Sequence, residues 1–316
     1  MQYRKLGKYG IKVSEVALGG WLTHGRTLDD TTTSDIVHKA FELGVNFFDT
    51  ADVYNAGEAE KSLAVAIKGM KREDLVLATK CFFPMSERPN DRGLSRKHIV
   101  ESVHASLKRM QVDYVDLFQF HRHDPEVPYE ETVRAVDDLV RQGKVLYWGV
   151  SMWPGQAISQ VCQTAKEWGC TLPVSNQPVY NMLQREIEAD VIPASEAAGL
   201  GQVVFSPLAQ GILTGKYLPG QEPPAGTRAA DDKSNMFMTS QMDDATLTKV
   251  QQLKPLADEC GCTLAQLALA WCLRKSNVSS VIVGATSSAQ IENNAAASGL
   301  EISDLAWKTA DSILQA

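Results

Sequence analysis

The segment YVDLFQFH, residues 114–121, is a short apolar run that ends on a histidine. Amphipathic patterns lie on both sides of it. Residues 95–110 and residues 130–142 each place apolar side chains three or four positions apart, which is typical of a helix with one apolar face. A strand between two such helices is the repeating unit of α/β proteins. The segment therefore predicts a buried parallel strand that is covered by helices.

Seven further apolar runs repeat this unit along the chain, at residues 16–20, 45–50, 75–80, 145–151, 173–179, 202–208 and 280–286. Eight strands that alternate with helices favour an α/β fold of the closed (β/α)8 type, the TIM barrel. The alternative is a doubly wound open sheet, which usually shows a GxGxxG motif after its first strand. The sequence LGGWLTHGRTL at 18–28 lacks that motif, so we expect the barrel.

Two additions to the barrel are visible in the pattern. Residues 2–15 form two short strand patterns around a turn that contains glycine, which predicts an N-terminal β-hairpin. Residues 212–244, after the seventh strand, are rich in glycine and proline and have little periodicity, which predicts a long loop of the kind that forms lids or binding loops, or is disordered. We treat residues 1–316 as a single barrel domain.

The composition excludes several classes of protein. The chain has 44% hydrophobic and 22% charged residues, no apolar stretch of membrane-spanning length and no visible secretory signal. A net charge of -7 gives no footprint for nucleic acid. The six cysteines show no CxxC pair, which suits reduced thiols. We therefore expect a cytoplasmic protein that does not insert into membranes.

Four ionisable residues lie at or just after the ends of successive strands. Asp49 ends the second strand, Tyr54 follows it in a loop, and Lys80 and His121 end the third and fourth strands. Each has a structural alternative: a helix cap, a packed aromatic ring, a solvated strand end and a core histidine. Because the C-terminal ends of barrel strands meet at one mouth, their joint placement predicts a shared active site.

These side chains suggest proton delivery to a carbonyl oxygen. We expect the Lys80 ammonium to lower the pKa of the Tyr54 phenol, and Asp49 to keep that ammonium charged. His121 then donates a hydrogen bond to the substrate oxygen while Tyr54 gives it a proton. No nucleophile is evident, since Cys81 faces away from Lys80 by strand alternation. A bound hydride donor would complete the reaction.

The second half of the chain offers groups for such a donor. Short polar residues at 151–153 and 175–177 suit a carboxamide, and residues 205–216 form a glycine-containing turn with Lys216. Residues 283–290 run from the eighth strand into a helix N-terminus, where barrels often bind phosphate. An ordinary cap by Thr286, Ser287 or Ser288 is compatible with that role.

A metal site is not expected. The sequence HRH at 121–123 is followed by Asp124, but the second histidine lies beyond the strand, in a loop, whereas metal ligands converge from rigid positions.

Taken together, the motifs resemble those of the aldo-keto reductases over essentially the whole chain. FFDTADVYNAGEAE contains Asp49 and Tyr54, LATK contains Lys80, and FQFH contains His121. Within that superfamily, LGGWLTHG, HRHDPEVPYEETVRA, QGKVLYWGVSMW and SPLAQGILTGKY are most similar to the voltage-gated potassium channel β-subunit branch. The resemblance implies that these four residues are the catalytic tetrad and that NADPH binds without a Rossmann motif.

The resemblance also implies which residues contact the cofactor. They are Ser151 and Gln177 at the carboxamide; Ser206, Pro207, Leu208, Ala209 and Lys216 at the pyrophosphate and ribose; Arg228, Gly284, Thr286, Gln290, Asn293 and Asn294 at the adenosine end; and Trp21, Asp49, Phe205 and Gly211 elsewhere. Three positions depart from the pattern. Met152 replaces a polar contact, and Asn293 stands where the branch often has Glu. Animal channel subunits have Asn in place of His121, so this histidine favours a working reductase.

Two functions remain open from the sequence. The first, as the resemblance implies, is NADPH-dependent reduction of aldehydes or ketones, in which the pro-R hydride of the cofactor goes to the carbonyl carbon. Tyr54 is then the acid, and Trp21, Tyr54 and His121 contact the substrate. The second is a regulatory β-subunit of a potassium channel, with slow or vestigial reductase activity. The channel branch implies a tetramer and the wider family implies monomers, so the sequence leaves the oligomeric state open, as it does the choice of NADPH over NADH.

Overall fold

The computed structural model describes residues 1–230, 235, 238 and 242–315. Eight parallel strands form a closed barrel, in which each strand pairs with its neighbours in the chain and the last pairs with the first. They are β3 (Val16–Gly19), β4 (Phe47–Asp49), β5 (Val76–Cys81), β6 (Val115–Phe120), β7 (Val145–Ser151), β8 (Ser175–Gln177), β9 (Gly201–Phe205) and β10 (Val278–Val283). The predicted (β/α)8 TIM barrel is confirmed.

The predicted hairpin is confirmed as well. Strands β1 (Tyr3–Lys5) and β2 (Lys12–Ser14) pair in antiparallel fashion. Leu6 and Val13 of this hairpin pack into the apolar cluster inside the barrel. The hairpin therefore covers the end of the barrel opposite the strands' C-terminal ends.

Helices surround the barrel. They are α1 (Asp30–Glu42), α2 (Glu58–Ala66), α3 (Arg96–Met110), α4 (Tyr129–Arg141), α5 (Gly155–Glu167), α6 (Val191–Ala198), α7 (Asp244–Glu259), α8 (Leu264–Leu273), α9 (Ser288–Ala295) and α10 (Asp304–Gln315). None of the helices in the described part of the chain is long and apolar enough to cross a membrane.

Local chemistry explains where these elements begin and end. Helix α3 starts one residue later than its periodicity predicts, because Ser95 caps it by accepting a hydrogen bond from the His98 backbone N–H. Strand β8 is shorter than predicted because Pro173 and Pro178 flank it and have no N–H to donate. Part of the long loop predicted at 212–244 lies outside the described residues.

Strand alternation places the polar residues at the mouth. Phe47 belongs to the cluster inside the barrel and Phe48 to the layer under the helices, so Asp49 returns to the inside. Ala78 is likewise inside, and Lys80 follows it two residues later. The apolar interior thus ends at the C-terminal mouth in a layer of ionisable side chains.

Candidate active site

The four residues predicted for catalysis meet at this mouth. The Lys80 ammonium lies 2.5 Å from Asp49 Oδ2, donates to the Thr50 carbonyl oxygen at 2.8 Å and lies 3.3 Å from the Tyr54 hydroxyl. The His121 ring packs edge-on against Tyr54, with 5.6 Å between ring centroids. One ammonium therefore links a carboxylate to a phenol beside an imidazole.

Two amides hold the carboxylate of Asp49 from the other side. Gln177 Nε2 donates to Oδ1 at 2.9 Å and Gln119 Nε2 at 3.4 Å. Gln119 was not singled out from the sequence, although it precedes His121 by two residues on β6, and the same alternation indicates that it faces the barrel interior. Asp49 thus uses both of its oxygens and has a fixed orientation.

A strained turn holds Tyr54 in place. Asn55 and Ala56 have φ angles of 48° and 52°, and Gly57 caps α2 with a φ of 90°. The Asn55 amide donates to the Gly25 carbonyl, and a Cβ on Gly57 would lie 2.7 Å from a carbon of the Arg109 side chain. Left-handed backbone at non-glycine residues is unfavourable, so these contacts must hold the turn that positions the phenol.

The protonation states follow from burial and neighbouring charge. Burial alone would lower the pKa of Lys80, but Asp49 and Tyr54 together raise it above its ordinary value. Burial raises the pKa of Tyr54 more than the Lys80 ammonium lowers it. The expectation of a net lowered phenol pKa is therefore wrong for this structure, because desolvation outweighs the charge. Burial, with Lys80 and Arg122, holds the pKa of His121 well below its usual range.

The site therefore combines a neutral phenol, an ammonium and a neutral imidazole. A neutral Tyr54 retains a proton that it can donate, and the Lys80 ammonium would stabilise the phenolate left after such a transfer. His121 Nδ1 is buried and has no hydrogen-bond partner among the described residues. A substrate oxygen at the Tyr54 hydroxyl would lie beside the His121 ring, because the two rings pack against each other.

A cavity of about 1020 Å³ extends from Tyr54 across the mouth between the loops after β3, β8, β9 and β10. Its volume is at the upper end of the range for ligand pockets, as a large extended ligand requires. Of the residues predicted to contact the cofactor, those that line it are Trp21, Asp49, Gln177, Phe205, Ser206, Pro207, Leu208, Gly211, Lys216, Arg228, Gly284, Thr286, Gln290, Asn293 and Asn294.

Two predicted cofactor residues are not among those that line the cavity. The hydroxyl of Ser151 donates to the Gln177 backbone carbonyl at 2.8 Å, and Ala209 is fully buried in the apolar core. In the same part of the site, Met152 has a φ of 56° and a side chain that is 41% exposed. Side chains alternate between the two faces of β7 and β9 only up to the loops that follow these strands. The sequence pattern therefore did not reveal how Ser151 and Ala209 are oriented.

Several lining residues were missed from the sequence because loops have no periodicity to indicate their orientation. They include Leu22, Thr23, Thr27, Gln210, Thr214, Thr227 and Thr263. Gln210 was the most accessible to sequence reasoning, since it lies in the glycine-containing turn already singled out. Its Nε2 donates to Ser206 Oγ at 2.6 Å, so it fixes a residue that was predicted to bind the cofactor.

The far end of the cavity is rich in amides. Ser287 is the cap of α9, and Gln290 Oε1 accepts from the Thr286 backbone N–H at 2.8 Å. Asn293 Oδ1 accepts from Thr263 Oγ1 at 3.2 Å, which ties α9 to α8. Amide side chains at a helix N-terminus suit the adenosine and phosphate groups of a dinucleotide.

Two cations line the same cavity. Gly211, in the turn after β9, lies against the Lys216 side chain. The Arg228 guanidinium lies 5.2 Å from the ring centroid of Trp21, which places it near the Tyr54 end of the cavity rather than beside Gln290. Burial lowers the pKa of Arg228 to about 10. The volume, amides and cations together fit an extended dinucleotide that reaches from α9 to Tyr54.

The second histidine of the HRH segment, His123, packs among aromatic side chains. The His123 ring lies edge-on to Trp153 at 4.8 Å between centroids, and its Nε2 lies 2.9 Å from the Tyr129 hydroxyl. Within the described ranges, no group of three His, Cys, Asp or Glu side chains could hold a metal ion.

The loop that bears Tyr54 is also fixed by a buried carboxylic acid. The Asp52 backbone N–H donates to the Lys80 carbonyl at 3.1 Å, and the Ser102 hydroxyl donates to its Oδ2 at 2.8 Å. Burial, and to a smaller extent Glu60, raise the pKa of Asp52 from 3.8 to about 7. Folded Asp52 therefore keeps a proton that the unfolded chain loses between about pH 4 and about pH 7.

We predict that Asp52 makes the protein less stable as the pH rises through this interval. Asp52→Asn removes this titration. As the pH rises through the interval, the free energy of unfolding of the variant should therefore increase relative to that of the wild type, by about 1.4 kcal/mol for each unit that separates the folded and unfolded pKa values. Urea unfolding at the two ends of the interval measures this, with the exposed Asp113→Asn as the control. A constant difference between Asp52→Asn and wild type across this interval would contradict the assignment.

Comparisons with known proteins agree with this geometry. The Aldo/keto reductase family model matches residues 15–315. The chain is 46% identical over 297 residues to a probable voltage-gated potassium channel subunit beta of Arabidopsis thaliana, covering 93% of this chain and 90% of that protein. A protein of the same description in Oryza sativa is 44% identical, with the same coverage. A putative voltage-gated potassium channel subunit beta of Schizosaccharomyces pombe is 42% identical, covering 92% and 86%.

The resemblance seen in the motifs is thus confirmed over nearly the whole chain, both for the superfamily and for its channel-subunit-like branch. The chain belongs to the aldo/keto reductase family, a family of oxidoreductases whose members generally bind nicotinamide cofactors.

Proposed function

We propose that the protein is a cytoplasmic, NADPH-dependent reductase of aldehydes and ketones, in which residues 1–316 act as one barrel domain. The observation that supports it most is the Lys80 ammonium, which lies 2.5 Å from the Asp49 carboxylate and 3.3 Å from the Tyr54 hydroxyl at the inner end of a dinucleotide-sized cavity. All six cysteines are free thiols, which suits a reducing compartment.

Tyr54 is the general acid of this proposal. The nicotinamide, when bound, supplies the hydride that reaches the carbonyl carbon. The carbonyl oxygen lies against the Tyr54 hydroxyl and the His121 ring, and takes the phenol proton as negative charge develops on it. Lys80 stabilises the phenolate that remains, and Asp49 keeps Lys80 charged. The neutral His121 donates a hydrogen bond to the same oxygen.

The cofactor would be held along the cavity wall. Ser151 and Gln177 are the proposed carboxamide ligands, with Lys216 beside the phosphates and Asn293 and Asn294 near the adenosine. The remaining contacts proposed from the sequence are Trp21, Asp49, Phe205, Ser206, Pro207, Leu208, Ala209, Gly211, Arg228, Gly284, Thr286 and Gln290. The observation in favour is that all but Ser151 and Ala209 line one continuous cavity.

The experiment that tests this function is turnover by the purified protein. With NADPH and either methylglyoxal or para-nitrobenzaldehyde, we expect the cofactor to be consumed in a one-to-one ratio with the alcohol formed. Tight binding of NADPH with no alcohol from a broad panel of aldehydes and ketones would contradict the reductase proposal.

Lys216 should contribute strongly to cofactor affinity. A hydrogen bond between charged groups is worth roughly a tenfold to hundredfold change in binding, so Lys216→Gln should weaken NADPH binding by about tenfold or more. Fluorescence titration measures the dissociation constant, with Lys308→Gln, an exposed position on α10, as the matched control. NADH titrated in parallel tests the cofactor choice, since equal affinity for NADH would contradict the NADPH preference.

A regulatory role is the second candidate, because the relatives compared above are described as channel subunits. In that role the cofactor site would sense redox state while the barrel docks to a channel as a tetramer. Light scattering in solution and co-purification with a voltage-gated potassium channel would support it, and a monomer that fails to bind such a channel would contradict it. Rapid carbonyl turnover would show that any such role accompanies an active enzyme.

A further inference from the structure

A half-buried arginine lies on the side of the mouth away from the cofactor cavity. Arg122 follows His121, and its Nη1 donates to the His121 carbonyl oxygen at 2.6 Å. Its guanidinium lies 5.2 Å from the ring centroid of Phe83, and Phe83 packs edge-on against His121 at 4.9 Å. Arg122 and Phe83 thus form a wall beside the catalytic imidazole.

Arg122 differs from the other half-buried arginines in its partners. Five of them form ion pairs with carboxylates: Arg4 with Glu15, Arg72 with Asp116, Arg109 with Glu60, Arg185 with Glu188 and Asp311, and Arg274 with Asp311. A further one, Arg228, lines the cofactor cavity. In the part of the chain that the structure describes, no carboxylate lies within 4.0 Å of Arg122. Its bond to the His121 carbonyl is the only hydrogen bond that the described residues give its guanidinium.

The electrostatics agree with an uncompensated charge. Burial lowers the pKa of Arg122, and the interaction with the Tyr54 oxygen opposes this shift without reversing it. The charge of Arg122 is in turn one of the contributions that lower the pKa of Tyr54 and of His121, although burial raises the pKa of Tyr54 overall. The guanidinium is therefore close to both groups that contact the reacting oxygen, and an arginine stays charged at neutral pH. A partly desolvated cation without a counter-ion favours an anionic ligand.

We infer that Arg122 selects carbonyl substrates that bear a carboxylate a few bonds from the carbonyl carbon. The inference rests on the proposed function, because the carbonyl oxygen bound by Tyr54 and His121 is what brings the rest of the substrate to Arg122. The Nε and Nη2 groups are available for the paired hydrogen bonds that a guanidinium makes to a carboxylate. The Phe83 face supplies an apolar surface for the carbon atoms between the two groups.

The test compares para-carboxybenzaldehyde with its methyl ester, which has a similar shape and no charge. Affinities are measured by calorimetry on the protein with NADP⁺, and kcat/KM is measured with NADPH. We expect the wild type to prefer the carboxylate, and Arg122→Gln to lower the carboxylate-to-ester ratio by about tenfold or more in both measurements. Arg122→Lys should keep part of the preference, because it keeps the charge without the planar fork. The exposed Arg134→Gln is the matched control and should keep all of it.

The outcomes separate this inference from the reductase proposal. A ratio that is the same in the wild type and Arg122→Gln, or a wild type without preference, overturns the inference, whereas turnover of the ester would still support the reductase. Carboxylate-selective binding that Arg122→Gln removes supports the inference even if neither compound is reduced, in which case the reductase proposal fails. Thermal unfolding of each variant shows whether an altered ratio reflects a folded protein.

Discussion

Tyr54→Phe should lower kcat for carbonyl reduction by about a hundredfold to ten-thousandfold, the range that general acid catalysis contributes. The variant removes only the hydroxyl that lies 3.3 Å from the Lys80 ammonium. The ring remains, so its contacts with His121 and Trp21, at 5.6 and 6.5 Å between centroids, are kept. Steady-state kinetics with NADPH and an aldehyde measure the loss, and fluorescence titration should show NADPH affinity within about twofold of the wild type.

Tyr129→Phe is the matched control. It also removes a tyrosine hydroxyl near the mouth. That hydroxyl is hydrogen-bonded to His123 and lies outside the four-residue site. We expect its kcat to stay within about twofold of the wild type. Equal kcat values for Tyr54→Phe and wild type would exclude Tyr54 as the acid, and an equal loss in both variants would indicate general damage to the mouth.

Lys80→Met should be the most destabilising substitution in the site. Lys80 is 0% exposed and Asp49 is 4% exposed, so removing the ammonium leaves a buried carboxylate without its counter-ion. Breaking a buried ion pair from one side costs about 3–5 kcal/mol. The free energy of unfolding in urea should fall by that amount, and kcat should fall as well, because the phenolate left after proton transfer loses its stabilising charge.

The double variant separates the two effects. Asp49→Asn with Lys80→Met removes both charges, so we expect it to recover most of the stability while the activity stays lost. The amide introduced by Asp49→Asn can still face Gln119 and Gln177, which hold the native carboxylate. A Lys80→Met protein as stable as the wild type would show that the pair is not coupled as the 2.5 Å distance implies.

The barrel and the cluster of ionisable side chains at its mouth were predictable because both depend on short-range pattern. Apolar runs give the eight strands, and the two-residue repeat of a strand brings Asp49, Lys80 and His121 to one face of the closed sheet. The C-terminal ends of barrel strands then have to meet. Tyr54 followed from its place in the adjoining loop.

The rest depends on distances across the fold, which the sequence pattern does not contain. The net direction of the Tyr54 pKa shift required knowing how deeply the phenol is buried. Among the residues that the structure describes, no carboxylate lies beside Arg122, and this could be known only from the positions of all the loops around it. The position of Arg228 over Trp21, rather than at the far end of the cavity, likewise depends on the path of the described residues that lead from β9 to Arg228.

The most direct test of the central claim follows a labelled hydrogen from cofactor to product. The protein is supplied with para-nitrobenzaldehyde and NADPH deuterated at the pro-R hydrogen of the nicotinamide C4, and the alcohol is analysed by mass spectrometry. The account predicts one deuterium on the former carbonyl carbon, and none when the pro-S hydrogen is labelled instead. Alcohol without deuterium from the pro-R label, or no alcohol while NADPH stays bound, would contradict it.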